Sequence, residues 1–210
     1  MKLVILDRDG VINEDSDHFI RTRDQYIPIP DSIQAIARLG RHGYTVAVAT
    51  NQSGIARGLL TLRDLEGIHH KLEQLVIAAG GRIDKIVFCP HGPEEGCDCR
   101  KPEAGLMKQL IETLGMPEIC FVVGDNLRDL QAGMAVGAIP LLVRTGKGKR
   151  TIVNGSLSEQ TMIFEDLAAA VDWLIGRGSD LNPIPDLKKA FSLSEHRKLT
   201  TDESLIGGSS

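Results

Sequence analysis

Apolar residues along this chain fall into short, nearly unbroken runs, separated by stretches in which they recur every three to four positions. The runs are Leu3 to Leu6, Tyr44 to Thr50 (YTVAVAT), Ile83 to Cys89 (IDKIVFC), the segment CFVVGD from Cys120 and the segment IPLLVRTG from Ile139. Rich in β-branched residues and almost continuously apolar, they read as parallel strands covered on both faces. The stretches between them read as helices with recognisable ends. Asp31 can cap Ser32 to Arg41 with Gly43 beyond, and Thr61 can cap Leu62 to Ala79 before Gly80 and Gly81. Further helices fit Pro102 to Leu114, Leu127 to Val136 and Phe164 to Ile175. A repeated strand-then-helix order of this kind predicts an α/β fold built on a doubly wound, mainly parallel, Rossmann-like sheet.

The pattern stops near Arg177. Beyond it the chain has few large apolar residues, two prolines and a Gly/Ser end, so we expect one domain over 1–176 and a flexible polar tail over 177–210, with at most a short helix near Leu187 to His196. Composition agrees: 210 residues with 42% apolar content suffice for one full core but not for two large domains. A formal charge of −4 argues against a nucleic acid or an anionic membrane recognised through bulk charge. A small anionic substrate would therefore need a local basic site. The first apolar run ends at Asp7, short of a signal-peptide core, and no later stretch approaches the roughly 18 apolar residues of a membrane helix. The expectation is a cytoplasmic monomer with neither nucleic-acid nor membrane partner.

In open α/β sheets ligands bind beyond the carboxyl ends of the strands, and there the polar residues of this chain collect. Asp7 ends the first strand, Thr50 and Asn51 the second, Gly124 and Asp125 the fourth, while Arg100 and Lys101 follow the third after a loop. Any one aspartate could be a turn or capping residue; the whole set on one rim is poorly explained that way. Asp7 and Asp9, two apart on an extended segment, project the same way. Their repulsion is tolerable beside a divalent cation, and Mg²⁺ held by Asp7, Asp125 and a backbone carbonyl would keep places for water and a phosphate oxygen. Asp7 could then attack phosphorus as a nucleophile, Asp9 could protonate the leaving alkoxide and later activate water, and Thr50 and Lys101 could stabilise the transferring phosphoryl group.

The segments LDRDGVIN, TNQSGIARG, CDCRKP and VGDNLRDLQAG resemble, in order, the four motifs of the haloacid dehalogenase (HAD) phosphatases, and more narrowly the heptose-1,7-bisphosphate 7-phosphatase family. The resemblance runs from Met1 to about Lys149. It implies a HAD-like fold, Asp7 as nucleophile, Asp9 as acid/base, Mg²⁺ on Asp7, the main-chain carbonyl of Asp9 and Asp125, and phosphoryl-stabilising places for Thr50 and Lys101. It also implies removal of the C7 phosphate of a heptose 1,7-bisphosphate, a small phosphorylated sugar, in ADP- or GDP-heptose synthesis for lipopolysaccharide or other surface glycans. The nearest rival is histidinol-phosphate phosphatase, whose domain is similar. A non-catalytic phosphate- or zinc-binding module is a third possibility, disfavoured by the intact set Asp7, Asp9, Lys101 and Asp125. One position departs from the pattern: several relatives carry a lysine after the motif-four aspartate, and here stands Asn126, an amide without charge. Asp129 reads either as a supporting partner of the site's ligands or as an early-turn helix residue, the latter favoured because acidic residues are common there.

The stretch CPHGPEEGCDC supplies Cys89, His91, Cys97 and Cys99, a Cys3His complement for tetrahedral zinc with no ligand place left for water, hence a structural site. The alternative is a group of unliganded thiols; Cys97 and Cys99 are too close in sequence to pair comfortably. A zinc-stapled loop would hold Arg100 and Lys101 over the reaction centre. Cys120, in an apolar run, reads as an inert buried residue. No insertion is long enough for a separate cap domain, so loops must shape the pocket. Asp15 and His18 fall on the flap after the first strand, although His18 alone reads as a surface residue. Gln52, Ser53 and Arg57 can approach the phosphate or sugar, together with Asn51 and Asn126, and Arg100 can fork onto a second phosphate or sugar hydroxyls. His69 and His70 read as surface or packing residues.

Overall fold

The first strand, β1 (Lys2–Leu6), has no solvent-facing side: Leu3 and Ile5 point one way, Val4 and Leu6 the other, and all four are fully buried. A strand of this kind can stand only in the middle of a sheet covered twice. The computed structural model describes residues 1–177, and β1 lies inside a six-stranded parallel sheet. In chain order β1 is followed by α1 (Ser32–Arg41), β2 (Tyr44–Asn51), α2 (Leu62–Ala78), β3 (Lys85–Cys89), α3 (Gly105–Leu114), β4 (Ile119–Gly124), α4 (Leu127–Met134), β5 (Ile139–Val143), α5 (Gly148–Asn154), β6 (Met162–Phe164) and α6 (Leu167–Gly176). The strands lie in the order β3-β2-β1-β4-β5-β6. Val4 and Leu6 face a core built with Ile36 and Leu39 of α1, Leu65 and Leu72 of α2 and Leu174 of α6. Leu3 and Ile5 face a second core with Leu106 and Leu110 of α3 and Leu130 of α4. No separate cap domain is evident among the described residues.

Several boundaries differ from the sequence reading. Thr61 caps α2 as expected, in a capping box: its hydroxyl accepts from the Asp64 N–H while the Asp64 carboxylate accepts from the Thr61 N–H. Asp31 does not cap α1; it adopts a left-handed conformation (φ 62°) and makes no side-chain cap bond. Ser32 fastens that helix end instead, donating its hydroxyl to the Ile12 carbonyl at 2.7 Å. The third helix starts at Gly105, not Pro102, and α4 ends at Met134, before Val136. Two short elements escaped the periodicity. Met162–Phe164 is a sixth strand paired with β5, so α6 begins only at Leu167, where the Asp166 carboxylate accepts from the Ala169 N–H. The seven residues of α5 span too few turns to show a helical period. The expected tail, with its helix near Leu187 to His196, lies outside the described residues. No helix among the described residues is long and apolar enough to cross a membrane.

Candidate active site

The sheet order reverses between β1 and β4, the first strand leading outward one way and the fourth the other, which opens a crevice at their carboxyl ends. Leu6 pairs with Val123, and the Asp7 N–H still donates to the Val123 carbonyl at 2.9 Å, so Asp7 and Asp125 leave neighbouring strands side by side. Lys101 enters from the loop after β3. Its Nζ lies 2.8 Å from Asp7 Oδ1 and 2.7 Å from Asp129 Oδ1, and donates to the Ala49 carbonyl at 2.8 Å. Two carboxylates and a carbonyl thus surround the ammonium. Its backbone is clamped as well: the Asn51 side-chain amide donates to the Lys101 carbonyl and accepts from the Lys101 N–H, both at 3.1 Å.

Lys101 is only 2% exposed; burial would lower its affinity for a proton, but the Asp129 and Asp7 carboxylates outweigh burial and raise it above the ordinary lysine range. Asp7 moves up to about 6, chiefly through burial and then through Asp129, with Lys101 pulling the other way. Asp125 is pushed up to about 8 by burial, Asp129 and Asp7. Asp7, Asp125 and Asp129 each offer an oxygen within 4.8 Å of the others. Three buried carboxylates against one ammonium leave a deficit of positive charge, and a hard divalent cation with oxygen ligands meets it. The backbone makes room for Asp125: a Cβ on Gly10 (φ 85°) or Gly146 (φ 54°) would collide with its Oδ2.

Asp9 lies near enough to Asp7 to raise its value, but its carboxylate is held by other groups. After β1 the chain turns sharply, the Arg8 carbonyl accepting from the N–H groups of Val11, Ile12 and Asn13. The Asp9 carboxylate then meets its own set of partners. Arg8 donates from Nε and Nη2 at 2.8–3.0 Å, Asn13 Nδ2 at 2.9 Å and Gln52 Nε2 at 2.9 Å. Burial works against ionisation, but Arg8 and these hydrogen bonds prevail and hold Asp9 below the usual carboxylate range. Arg8 itself is fully buried. Its Nη1 lies 3.3 Å from His69 Nε2; His69, pressed to a pKa of about 3 by burial and then by Arg8, is a neutral acceptor here. His69 thus packs against Phe88 and also backs the Arg8–Asp9 pair, whereas His70 is exposed.

The remaining expected residues divide. Thr50 is 1% exposed, and its hydroxyl accepts from Gln52 Nε2 at 3.0 Å. The side chains of Asn51 and Gln52, expected near substrate, are engaged with Lys101 and with Asp9 and Thr50 respectively. Asp15, also expected near substrate, pairs with Lys147 Nζ at 2.8 Å. Ser53 is buried at the start of the following turn, and His18 and Arg57 are exposed, the latter over the Phe19 ring. Asn126 caps α4, accepting from the Arg128 N–H at 3.3 Å, and the Asp129 carboxylate returns a bond to the Asn126 N–H at 3.1 Å. Asp129 is therefore an early-turn helix residue as read, and additionally the second anchor of Lys101.

Sequence reasoning missed four contributors. Arg8 stands between the paired aspartates, where a residue-type pattern treats it as filler. Asn13 closes the LDRDGVIN segment with no role read for it, and Thr145 and Lys147 lie in none of the four motifs: Asn13 holds Asp9, the Thr145 hydroxyl donates to the Gly10 carbonyl at 2.6 Å, and the Lys147 N–H donates to Asp125 Oδ2 at 2.7 Å.

The cysteine loop closes on itself. Cys89 Sγ lies 3.1 Å from Cys99 Sγ and 3.6 Å from Cys97 Sγ, Cys97 and Cys99 are 3.5 Å apart, and His91 Nδ1 is 3.6 and 3.3 Å from Cys89 and Cys99. Tetrahedral zinc with sulfur at about 2.3 Å requires ligand separations of roughly 3.7 Å, close to these. Burial and the neighbouring sulfurs push the Cys99 thiol up, while at Cys97 the Arg100 N–H and the other thiols overcome burial and bring it down to about 7. Arg100 Nη1 donates back to the His91 carbonyl at 3.0 Å. Between this loop and the start of α4 lies a cavity of about 380 Å³ whose lining includes Gly92, Cys97, Arg100, Lys101, Glu103 and Arg128.

Comparison with known proteins places this geometry among relatives. A HAD-hydrolase-like family profile matches residues 98–170. The chain is 55% identical over 177 residues to the D-glycero-beta-D-manno-heptose-1,7-bisphosphate 7-phosphatase of Pseudomonas putida, covering 83% of this chain and all of that protein. The crystal structure of the D,D-heptose 1,7-bisphosphate phosphatase of Bordetella bronchiseptica, complexed with magnesium and phosphate, is 47% identical with a TM-score of 0.82, over 84% of this chain and 99% of that one. The corresponding structure from Burkholderia thailandensis is 45% identical with a TM-score of 0.66, over 83% and 99%.

Proposed function

Because the chain belongs to the heptose-1,7-bisphosphate 7-phosphatases of the HAD superfamily, we propose that it hydrolyses the C7 phosphate of D-glycero-D-manno-heptose 1,7-bisphosphate through a phosphorylated Asp7. The observation that carries this reading is the Asp7 carboxylate, buried at the sheet's crevice, 2.8 Å from Lys101 and beside Asp125. Magnesium, held by Asp7, Asp125 and the Asp9 carbonyl, would screen the approach of a carboxylate to a phosphate dianion and draw charge from the phosphoryl oxygens. Asp7 attacks phosphorus, and the C7 alkoxide departs with a proton from Asp9. Asp9, now a carboxylate, takes a proton from the water that splits the acyl phosphate. Arg8 favours the carboxylate form of Asp9, so the first step is the one that rising pH slows. The Thr50 oxygen is occupied by Gln52 as an acceptor, which leaves its O–H for a phosphoryl oxygen; Lys101 exchanges part of its grip on Asp7 for the incoming phosphate.

In this reading Asn51 positions Lys101 and Gln52 positions Asp9, while Arg100, with Ser53, Arg57, Asp15, His18 and Asn126 around the rim, meets the sugar and its second phosphate. The product keeps its anomeric phosphate for nucleotide activation, the step toward ADP- or GDP-heptose and surface glycans. The net charge of −4 disfavours nucleic-acid and anionic-membrane partners, and we place the protein in the cytoplasm as a monomer acting on a small sugar phosphate. The test is ³¹P NMR of heptose 1,7-bisphosphate incubated with protein and Mg²⁺. The C7 monoester resonance should vanish while the anomeric one persists. Faster turnover of histidinol phosphate would reassign the enzyme.

Cys89, His91, Cys97 and Cys99 are the proposed ligands of one structural zinc, which holds the loop leading into Arg100 and Lys101. Elemental analysis should find about one zinc per chain, and Cys97→Ser should lower that content and expose the 90–100 backbone to hydrogen exchange. Zinc-free protein from a chelator-free purification would refute the site.

A further inference from the structure

Arg128 is out of place on electrostatic grounds. It lies in the first turn of α4, where the helix dipole disfavours a cation, and Lys147 is near enough to repel it. Among the described residues its guanidinium makes no hydrogen bond or ion pair, and only its backbone N–H is engaged, with Asn126. It is nevertheless half-buried, lining the cavity of about 380 Å³ opposite the loop that carries Arg100. Lys101 forms part of the same wall and reaches Asp7, so the cavity adjoins the reaction centre. Lys101 is neutralised by Asp7 and Asp129, and Glu103 is the one carboxylate among the cavity's lining residues. Two guanidiniums, one held by a single bond to the His91 carbonyl and one unpaired, therefore give the cavity its charge.

We propose that Arg128 is a specificity-determining residue that joins Arg100 in gripping the non-reacting, anomeric phosphate of the substrate while the C7 phosphate lies on Asp7. This rests on the bisphosphate reading above. It supplies from the first turn of α4 the positive charge that Asn126 lacks. A phosphate between two guanidiniums takes paired N–H···O bonds from each, and the cavity is of a size that holds a sugar ring and its phosphate. A substrate whose far end is cationic, such as histidinol phosphate with its amine, meets repulsion in the same place.

The test compares kcat/KM for heptose 1,7-bisphosphate and heptose 7-phosphate, which lacks the anomeric phosphate, in wild type, Arg128→Gln and Arg128→Lys. Loss of charge-assisted bonds to phosphate should cut the bisphosphate-to-monophosphate preference by about tenfold to a hundredfold in Arg128→Gln. Arg128→Lys, which keeps a charge without the fork, should retain an intermediate preference and shows that the effect is not one of misfolding. A wild type active on the bisphosphate whose preference survives in Arg128→Gln overturns this inference alone. A wild type inactive on the bisphosphate overturns the proposed function, and the inference with it.

Discussion

Asp7→Asn should abolish turnover, lowering kcat by about four orders of magnitude or more, as removal of a covalent nucleophile does elsewhere. The same variant should change how stability depends on pH. In the metal-free protein the folded-state values of Asp7, about 6, and Asp125, about 8, both lie above the ordinary 3.8. The native state therefore binds more protons than the unfolded state between roughly pH 4 and 8, and stability falls as pH rises through that window. A cation among the carboxylates favours their ionised forms and reverses the trend. Thermal melts should show Mg²⁺ raising Tm more at pH 8 than at pH 5 in wild type, and much less at either pH in Asp7→Asn. An Mg²⁺ shift larger at pH 5 would contradict this account, as would full activity in the variant.

Lys101→Met should be nearly as severe and for a second reason. It removes the group that meets the transferring phosphoryl oxygens, a loss on the order of 10³ in kcat. It also leaves the Asp7 and Asp129 carboxylates, 11% and 1% exposed, facing each other without a counter-charge. Breaking a buried pair in this way costs about 3–5 kcal/mol, measurable by urea denaturation. Without Lys101 the Asp7 value rises further, so the destabilisation is greatest above pH 6 and shrinks as acid neutralises the carboxyl. Equal destabilisation at pH 5 and pH 8 would show that the pair contributes packing and not charge.

The five longer strands and the rim they form were legible because parallel strands buried on both faces must be continuously apolar, and because a polar residue directly after such a run has only the sheet's edge to occupy. Asp7, Thr50 and Asp125 follow from that alone. What sequence left hidden are relationships between elements. Asp129 satisfies a helix-end pattern, and nothing local reveals that the same carboxylate reaches Lys101 from another loop. Arg8 reads as an exposed residue by type, and only the turn that buries it makes it the partner of Asp9. Asn51 and Gln52 follow β2 and so fall near the ligand by sequence, but nothing local reveals that their amides also hold Lys101 and Asp9. The three residues of β6 and the seven of α5 are too short for either period to register.

One contact bears on how freely this architecture can change. Lys101 stands twelve positions beyond the last residue of β3, yet the Asn51 amide meets its N–H and carbonyl as a neighbouring strand would. The lysine thus takes its position from the end of β2, through a side chain impersonating backbone, and the intervening segment does not have to measure the distance. A shift of the intervening loop should therefore displace Arg100, whose side chain bonds to the His91 carbonyl, more than it displaces the ammonium on Asp7. The group that reacts is thus seated on the sheet, while its neighbour Arg100 is seated on the cysteine loop.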